Sequence, residues 1–131
     1  MEHNCLESPL KETSFVFEFG RFYVEAKLYS DRLTVSYIEN NQCFSGTFDK
    51  ESISGPIPLT IENVYKMFIK ACNREPAHLL QFVLPNWRDN ECVSGICIKY
   101  EGEYFNISQM INFKMKDDEA LKTRYALYLA N

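Results

Sequence analysis

Cysteine and histidine are the residue types in this chain that could support nucleophilic catalysis or bind a metal ion. A nucleophile needs a general base within hydrogen-bond reach and a third group that orients the base. The imidazole bases are His3 and His78, and we expect the first in a loose tail and the second at the start of a strand. We therefore predict that the chain is not an enzyme. An enzyme that relies on Cys92 or Cys97 stays open as an alternative, and it would require a thiol of lowered pKa.

Metal and cofactor sites are also not predicted. The cysteines form no C-x-x-C pair, and neither the cysteines nor the histidines occur at metal-ligand spacing. Calcium-binding loops and glycine-rich phosphate loops are absent from the sequence. Most of the cysteines fall inside predicted strands or a predicted helix, so we expect reduced and mostly buried thiols. The cysteines are Cys5, Cys43, Cys72, Cys92 and Cys97.

Composition and charge limit the class of partner. The chain has 131 residues with 46% hydrophobic side chains, which suits one domain that folds on its own. The formal net charge is −4 and the basic residues are scattered, so we predict no nucleic-acid partner, which would need a concentrated cationic face. No signal peptide or membrane span is evident, because no stretch approaches the roughly 18 apolar residues that a span needs. We expect a soluble intracellular protein of the cytoplasm or nucleus that is not secreted.

In the first half of the chain, the spacing of apolar residues changes once, from the alternation of strands to the period of a helix. Between Ser14 and Lys50, four period-two stretches predict four consecutive strands, because successive side chains of a strand point to opposite faces. Residues 1–13 are polar and lack a period, and we expect a flexible N-terminal tail there. In the fourth stretch Gly46 interrupts an apolar row, which indicates a bulge or close packing of another backbone. A helix over residues 60–73 follows, with apolar residues three and four positions apart.

Three further strands and a second helix are predicted after this insert. Leu79–Leu84 is a nearly unbroken apolar run, for which we predict a central strand buried on both faces. A breaker segment at 85–90 separates it from a hairpin over 92–115 whose inward row is interrupted at Gln109, and a helix over 117–131 ends the pattern. The predicted fold class is α+β, mostly β: a seven-stranded antiparallel sandwich or rolled sheet with a helical insert between strands four and five and a C-terminal helix. The predicted inward row contains Phe105, Ile107, Ile111, Phe113 and Met115.

Two groups of residues are candidates for protein interaction. Trp87 is the single tryptophan and falls in the breaker segment, where we expect a loop tip. An exposed tryptophan is a typical hot-spot residue in protein association, although the same side chain could fold back over the end of the sheet. Leu121, Tyr125 and Tyr128 form a stripe on the C-terminal helix. This stripe is compatible with packing on the domain's own core and with a dimer seam, since two turns do not establish a heptad repeat.

The order of four strands, helical insert, three strands and a helix that leaves the domain resembles the globular head of a coiled-coil scaffold superfamily. That superfamily includes centriolar cartwheel proteins and end-joining repair scaffolds. The segment FSGTF at residues 44–48, followed by Ile53 and a helix, is similar to a strand motif of these heads. The resemblance implies a non-enzymatic head domain over 14–116 and a helix over 117–131 that dimerises and can begin a coiled coil. It also implies head-to-head association in some members, through a hydrophobic residue at a hairpin tip, a role that Trp87 could fill.

The leading hypothesis is therefore a non-enzymatic protein–protein interaction or scaffold domain, with a homodimer or homo-oligomer as the expected assembly. The alternative is a lipid-binding or peptide-binding module that resembles a pleckstrin-homology domain, which also combines seven strands with a C-terminal helix. That fold normally keeps its strands contiguous, so the predicted helix at 60–73 argues against it.

Overall fold

A computed structural model of the chain describes residues 7–17 and 22–130. Across these residues, seven strands form one antiparallel sheet that curls around a core, with two α helices. The sheet order is β1-β2-β3-β4-β7-β6-β5, and the predicted fold class is confirmed. The elements are β1 (Lys11–Phe17), β2 (Phe22–Leu28), β3 (Arg32–Glu39), β4 (Gln42–Asp49), α1 (Ile61–Cys72), β5 (His78–Arg88), β6 (Glu91–Glu101), β7 (Asn106–Met115) and α2 (Glu119–Ala130).

The four strands predicted in the first half are present and form a meander. β1 begins at Lys11, three residues before the predicted start, because Lys11 to Thr13 pair with the end of β2 although they lack an apolar alternation. β3 and β4 are joined by a two-residue turn at Asn40 and Asn41, whose φ angles are 52° and 64°. Asparagine tolerates this left-handed conformation, which matches the twist of the flanking strands.

The predicted helix after the meander is confirmed as α1. Its N-terminus is closed by a capping box, in which the Thr60 side chain accepts a hydrogen bond from the Asn63 amide and the Asn63 side chain accepts one from the Thr60 amide. The apolar stripe of α1 packs on the inner face of the curled sheet. This packing completes the main core, whose largest members are Leu33, Tyr37, Phe44, Phe48, Phe68, Ile96, Ile98, Ile111 and Phe113.

The prediction of a central strand at 79–84 is wrong, because β5 lies at the edge of the sheet. The apolar run arises from two faces in different surroundings: Leu80 and Phe82 pack against the core, whereas Leu79 and Val83 are 48% and 45% exposed. The strand also continues through the predicted breaker segment. A β-bulge allows the strand to continue, because Leu84 and Pro85 of β5 together oppose a single residue of β6.

The last hairpin, β6–β7, joins the meander through pairing of β7 with β4. The close-packing interpretation of Gly46 is confirmed, because a Cβ atom there would lie 2.1 Å from the carbonyl oxygen of Asn112. Gln109 faces inward and is fully buried, and its amide bonds both main-chain groups of Ser54. Phe105 was predicted in the inward row, and this is wrong: it lies in the turn before β7 and is 49% exposed.

Candidate protein-interaction surfaces

The groups considered for catalysis are not assembled into a site in the described part of the chain. His78 bonds the main-chain oxygen of Pro76 through Nδ1 at 2.9 Å, and its ring lies against Tyr100. Burial raises the pKa of Cys72 to about 12, which is opposite to what an activated thiol requires. Within residues 7–17 and 22–130, no group of three or more potential metal ligands is found. His3 and Cys5 lie outside the described residues.

The cysteines in the described residues are free and buried, as predicted for thiols within strands and a helix. Cys92 belongs to the main core, and the Sγ atom of Cys97 lies 3.0 Å from the hydroxyl of Ser108. The Sγ atom of Cys43 donates a long hydrogen bond to the main-chain oxygen of Asp118, at 3.7 Å. These contacts fit structural thiols.

Helix α2 packs on the outer face of the first meander and forms a second, smaller core there. Asp118 caps the helix by accepting a hydrogen bond from the Leu121 amide at 3.0 Å. Leu121 is fully buried against Ile38 and Cys43. The Tyr125 ring stacks on Tyr23 with a centroid distance of 5.4 Å. The buried part of the predicted stripe is thus used within the domain.

The buried carboxylate of Glu25 in β2 forms an ion pair with Arg124 of α2. Glu25 is 7% exposed, and Arg124 donates to it from Nε at 2.7 Å and from Nη2 at 2.9 Å. The hydroxyl of Tyr23 donates a third hydrogen bond at 2.6 Å. Burial, followed by this hydrogen bond to Glu25, raises the pKa of Tyr23 to about 12. Two planar N–H donors on one carboxylate fix direction as well as distance, so the orientation of α2 on the sheet is set by this ion pair.

Sequence reasoning missed Glu25 and Arg124. Glu25 stands in the polar row of an alternating strand, where a solvated side chain is the usual expectation. The available signal was the tyrosine two residues earlier in the same row, because a Tyr beside a carboxylate on one strand face can mark a surface that another element covers. The partner, Arg124, is 99 positions away in the chain, and no local pattern relates the two.

The end of α2 carries apolar side chains in several directions. Tyr128 contacts the Tyr23 ring at 5.5 Å and is still 46% exposed. Leu127 and Leu129 are 60% and 54% exposed. At 100° per residue, Leu127 lies about 240° around the helix from Leu121, and so it points away from the sheet. The last turns therefore present an apolar surface that the domain itself does not cover.

Trp87 lies in β5, two residues before the turn at Asp89 and Asn90, and not in the predicted loop tip. Its side chain is 63% exposed. It pairs across the hairpin with Cys92 and lines an open pocket together with residues of β4 and β7, including Lys114. The structure thus places Trp87 on the surface at one end of β6.

A second exposed aromatic residue, which sequence reasoning missed, stands at the other end of β6. Tyr104 is 87% exposed in the β6–β7 turn. The turn is closed by a hydrogen bond from the Gly102 amide to the main-chain oxygen of Phe105, at 3.0 Å, and the Phe105 ring packs on Tyr100. The signal in the sequence was an aromatic pair directly after Glu101-Gly102-Glu103.

No protein-family model and no curated protein matches the chain. A solved structure does match in fold. The crystal structure of the head domain of human CCDC61 is similar with a TM-score of 0.64, covering 81% of this chain and 98% of that chain at 14% sequence identity. The chain therefore has a head-domain fold related to that of human CCDC61. In the described residues, neither helix has the length and apolar character that a membrane crossing requires.

Proposed function

We propose that this chain is a non-enzymatic scaffold domain that associates with a second copy of itself. The observation that carries the proposal is the apolar end of α2, where Leu127, Tyr128 and Leu129 are exposed together. A helix with apolar residues on all sides is normally buried. Leu127 and Leu129 lie about 200° apart around the helix, so a second copy would cover these side chains only by enclosing the end of α2 on more than one side. The fold shared with a head domain supports a scaffold role, and membership of the coiled-coil scaffold superfamily is part of the proposal.

The two exposed aromatic residues are proposed as further contact points. Trp87 and Tyr104 lie at opposite ends of β6, and a strand of this length spans about 35 Å. They cannot belong to one patch, and neither lies on α2. A domain with separated apolar contacts can hold one partner at the helix and another at a hairpin, which is what a scaffold requires.

Sedimentation velocity over a range of protein concentrations tests the proposal. We expect the chain to form dimers, and we expect Leu127→Glu combined with Leu129→Glu to raise the dimer dissociation constant at least about tenfold, because two charges would be buried in the contact. Leu10→Glu is the control, since Leu10 is 67% exposed and the pocket that it lines contains no residue of α2. Trp87→Ala and Tyr104→Ala report on higher assembly.

A strict monomer at high concentration, unchanged by any of these substitutions, would contradict self-association. The pleckstrin-homology-like alternative has no observation in its favour, because α1 interrupts the strands between β4 and β5. Pelleting with lipid vesicles checks this point directly, and we expect no binding.

A further inference from the structure

β5 is an edge strand of the sheet. Among the described residues it pairs with β6 alone. The Glu101 amide donates to the main-chain oxygen of Ala77 at 2.8 Å, which identifies Ala77 and Glu101 as a hydrogen-bonded pair. Main-chain groups of an antiparallel strand alternate in direction. Every second residue from Ala77 therefore bonds β6, and the N–H and C=O groups of Leu80 and Phe82 point away from the sheet.

A groove of about 720 Å³ runs beside this edge, lined mainly by apolar side chains and also by Glu39, Arg74, Glu75 and His78. Its floor contains aromatic rings from three strands: the Phe82 ring lies 5.0 Å from the Phe22 ring and 6.2 Å from the Phe17 ring, centroid to centroid. Ala71, at the end of α1, stands along the other side, and Leu84 closes one end. The groove thus offers apolar side chains beside main-chain groups of β5 that have no strand partner in residues 7–17 and 22–130.

The edge at β1 is protected by charge, whereas β5 has no such protection before its bulge and Pro85. Edge strands usually carry charges that prevent pairing with another chain. β1 follows this rule, since Lys11 is exposed and forms a salt bridge of 3.6 Å with Glu62 of α1. β5 has no charged side chain from Leu79 to Leu84. An unprotected edge beside an apolar groove is the arrangement of a strand that accepts a partner.

The geometry points to a peptide-binding site: an extended segment of a partner protein adds to β5 as an eighth strand and lies in the groove. Only an extended chain satisfies both features, because it presents main-chain N–H and C=O groups to Leu80 and Phe82 and an apolar side chain at every second position to the groove. The bulge at Leu84 and Pro85 ends the regular edge, which limits the peptide to about six residues. The end of α1 forms one side of the groove. This favours a single extended strand as the occupant over the sheet edge of a second copy of the domain.

A phage-displayed library of random peptides about eight residues long, panned against the full chain, tests the site. We expect enriched peptides with apolar residues at alternate positions and no proline between them. Leu84→Lys should weaken binding of the best synthetic peptide at least about tenfold, since a charge enters the apolar groove. Val83→Lys is the matched control: Val83 precedes Leu84, faces Gly95 on the outer side of the sheet, and does not line the groove.

Amide chemical shifts of the labelled chain identify the contact. We expect the largest changes at Leu80 and Phe82, and we expect methylation of the peptide amides that face β5 to abolish binding. No enrichment over background, or enriched peptides whose affinity is insensitive to Leu84→Lys, would overturn the site. Concentration-dependent shifts of the same amides without peptide would assign the groove to a second copy and also overturn it. The readout does not depend on dimerisation through α2, so the two proposals can fail separately.

Discussion

Gly46 has less space for a side chain than Gly55, Gly95 or Gly102, because the main chain of β7 at Asn112 lies directly against it. The first prediction is that Gly46→Ala destabilises the fold by at least about 3 kcal/mol, since the added methyl group meets a main-chain atom of Asn112 that cannot rotate away. Urea unfolding measures the change. Thr47→Ala, at the exposed neighbouring position, should stay within about 0.5 kcal/mol. Equal effects of the two substitutions would show that β7 can move off β4 freely.

Gln109 is a buried polar residue whose side chain accepts one hydrogen bond from, and donates one to, the same loop residue, Ser54. Its side chain bonds the amide of Ser54 at 2.9 Å and the main-chain oxygen at 2.8 Å. The second prediction is that Gln109→Leu lowers the free energy of unfolding by about 1–2 kcal/mol, because the two hydrogen bonds that connect β7 to the loop at Ser54 are lost. Gln81→Leu, on the exposed face of β5, is the control. A neutral Gln109→Leu would mean that water replaces the amide.

Sequence analysis recognised individual residues with a special position better than it recognised their hydrogen-bond or ion-pair partners. Gly46 was recognised because a glycine in an apolar strand row has few explanations. Gln109 was seen as an interruption, but its partner Ser54 could not be inferred, since the two residues are 55 positions apart. The Glu25–Arg124 pair was missed for the same reason. Long-range polar pairs depend on the packing of elements, which local spacing does not encode.

At the scale of elements, the position of α2 depends on the ion pair between Glu25 and Arg124. The third prediction is a coupling free energy of about 1–2 kcal/mol in a double-mutant cycle of Glu25→Gln and Arg124→Gln, because the carboxylate is buried and bound by two donors. The matched pair is Lys122 with Glu119 in the first turn of the same helix, at 3.3 Å, where the Glu119 carboxylate is 84% exposed, and for this pair we expect less than about 0.5 kcal/mol.

Thermal or urea unfolding of the four variants in each cycle supplies these values. Equal coupling in both pairs would show that Glu25 contributes no more than a surface residue. In that case the orientation of α2 would be held by Leu121 and Tyr125 alone.

The elements themselves were largely predictable, but their places in the sheet were less so. The period of the side chains and the Thr60 cap located α1 to within a residue, because both signals are local. β5 was recognised as a strand and misplaced as a central one. An unbroken apolar run is produced equally by a strand covered on both faces and by an edge strand with a groove beside it, so the run alone could not decide.

At the scale of the whole molecule, stability should fall in alkaline solution. Burial raises the pKa of Tyr23 and of Tyr37 from 10.0 to about 12. The unfolded chain therefore releases these protons at lower pH than the folded chain, and the fourth prediction follows. The stability that the two hydroxyls contribute is fully present below about pH 10 and is lost as the pH rises through about 12.

Urea unfolding at several pH values across this window measures the slope of stability against pH. Tyr37→Phe should flatten the slope, because one buried titrating group is removed. Tyr104→Phe is the control, since Tyr104 is 87% exposed, and it should leave the slope unchanged. The slopes are compared, not the midpoints, because Tyr37→Phe also removes a hydrogen bond of 2.7 Å to Ser94. Identical slopes in all three proteins would contradict the assignment.

The topology of the whole chain was inferred from element order alone, and the curled sheet agrees with it. The same order supported a resemblance to scaffold heads, and the head domain of human CCDC61 matches at the level of fold. Surfaces were harder to predict, since exposure depends on which strands lie at the edges. Trp87 was chosen because it is rare, whereas Tyr104 is more exposed and was missed.

The junction between β4 and β7 has a consequence for how fast the chain folds. The two meanders, 11–49 and 78–115, pair neighbours in sequence, but they meet in register only at Phe44 with Met115 and at Ser45 with Lys114. This contact joins distant segments across the whole insert, and non-local pairings slow folding. We expect refolding on a timescale of about milliseconds to seconds. The slow event should be the pairing of β4 with β7.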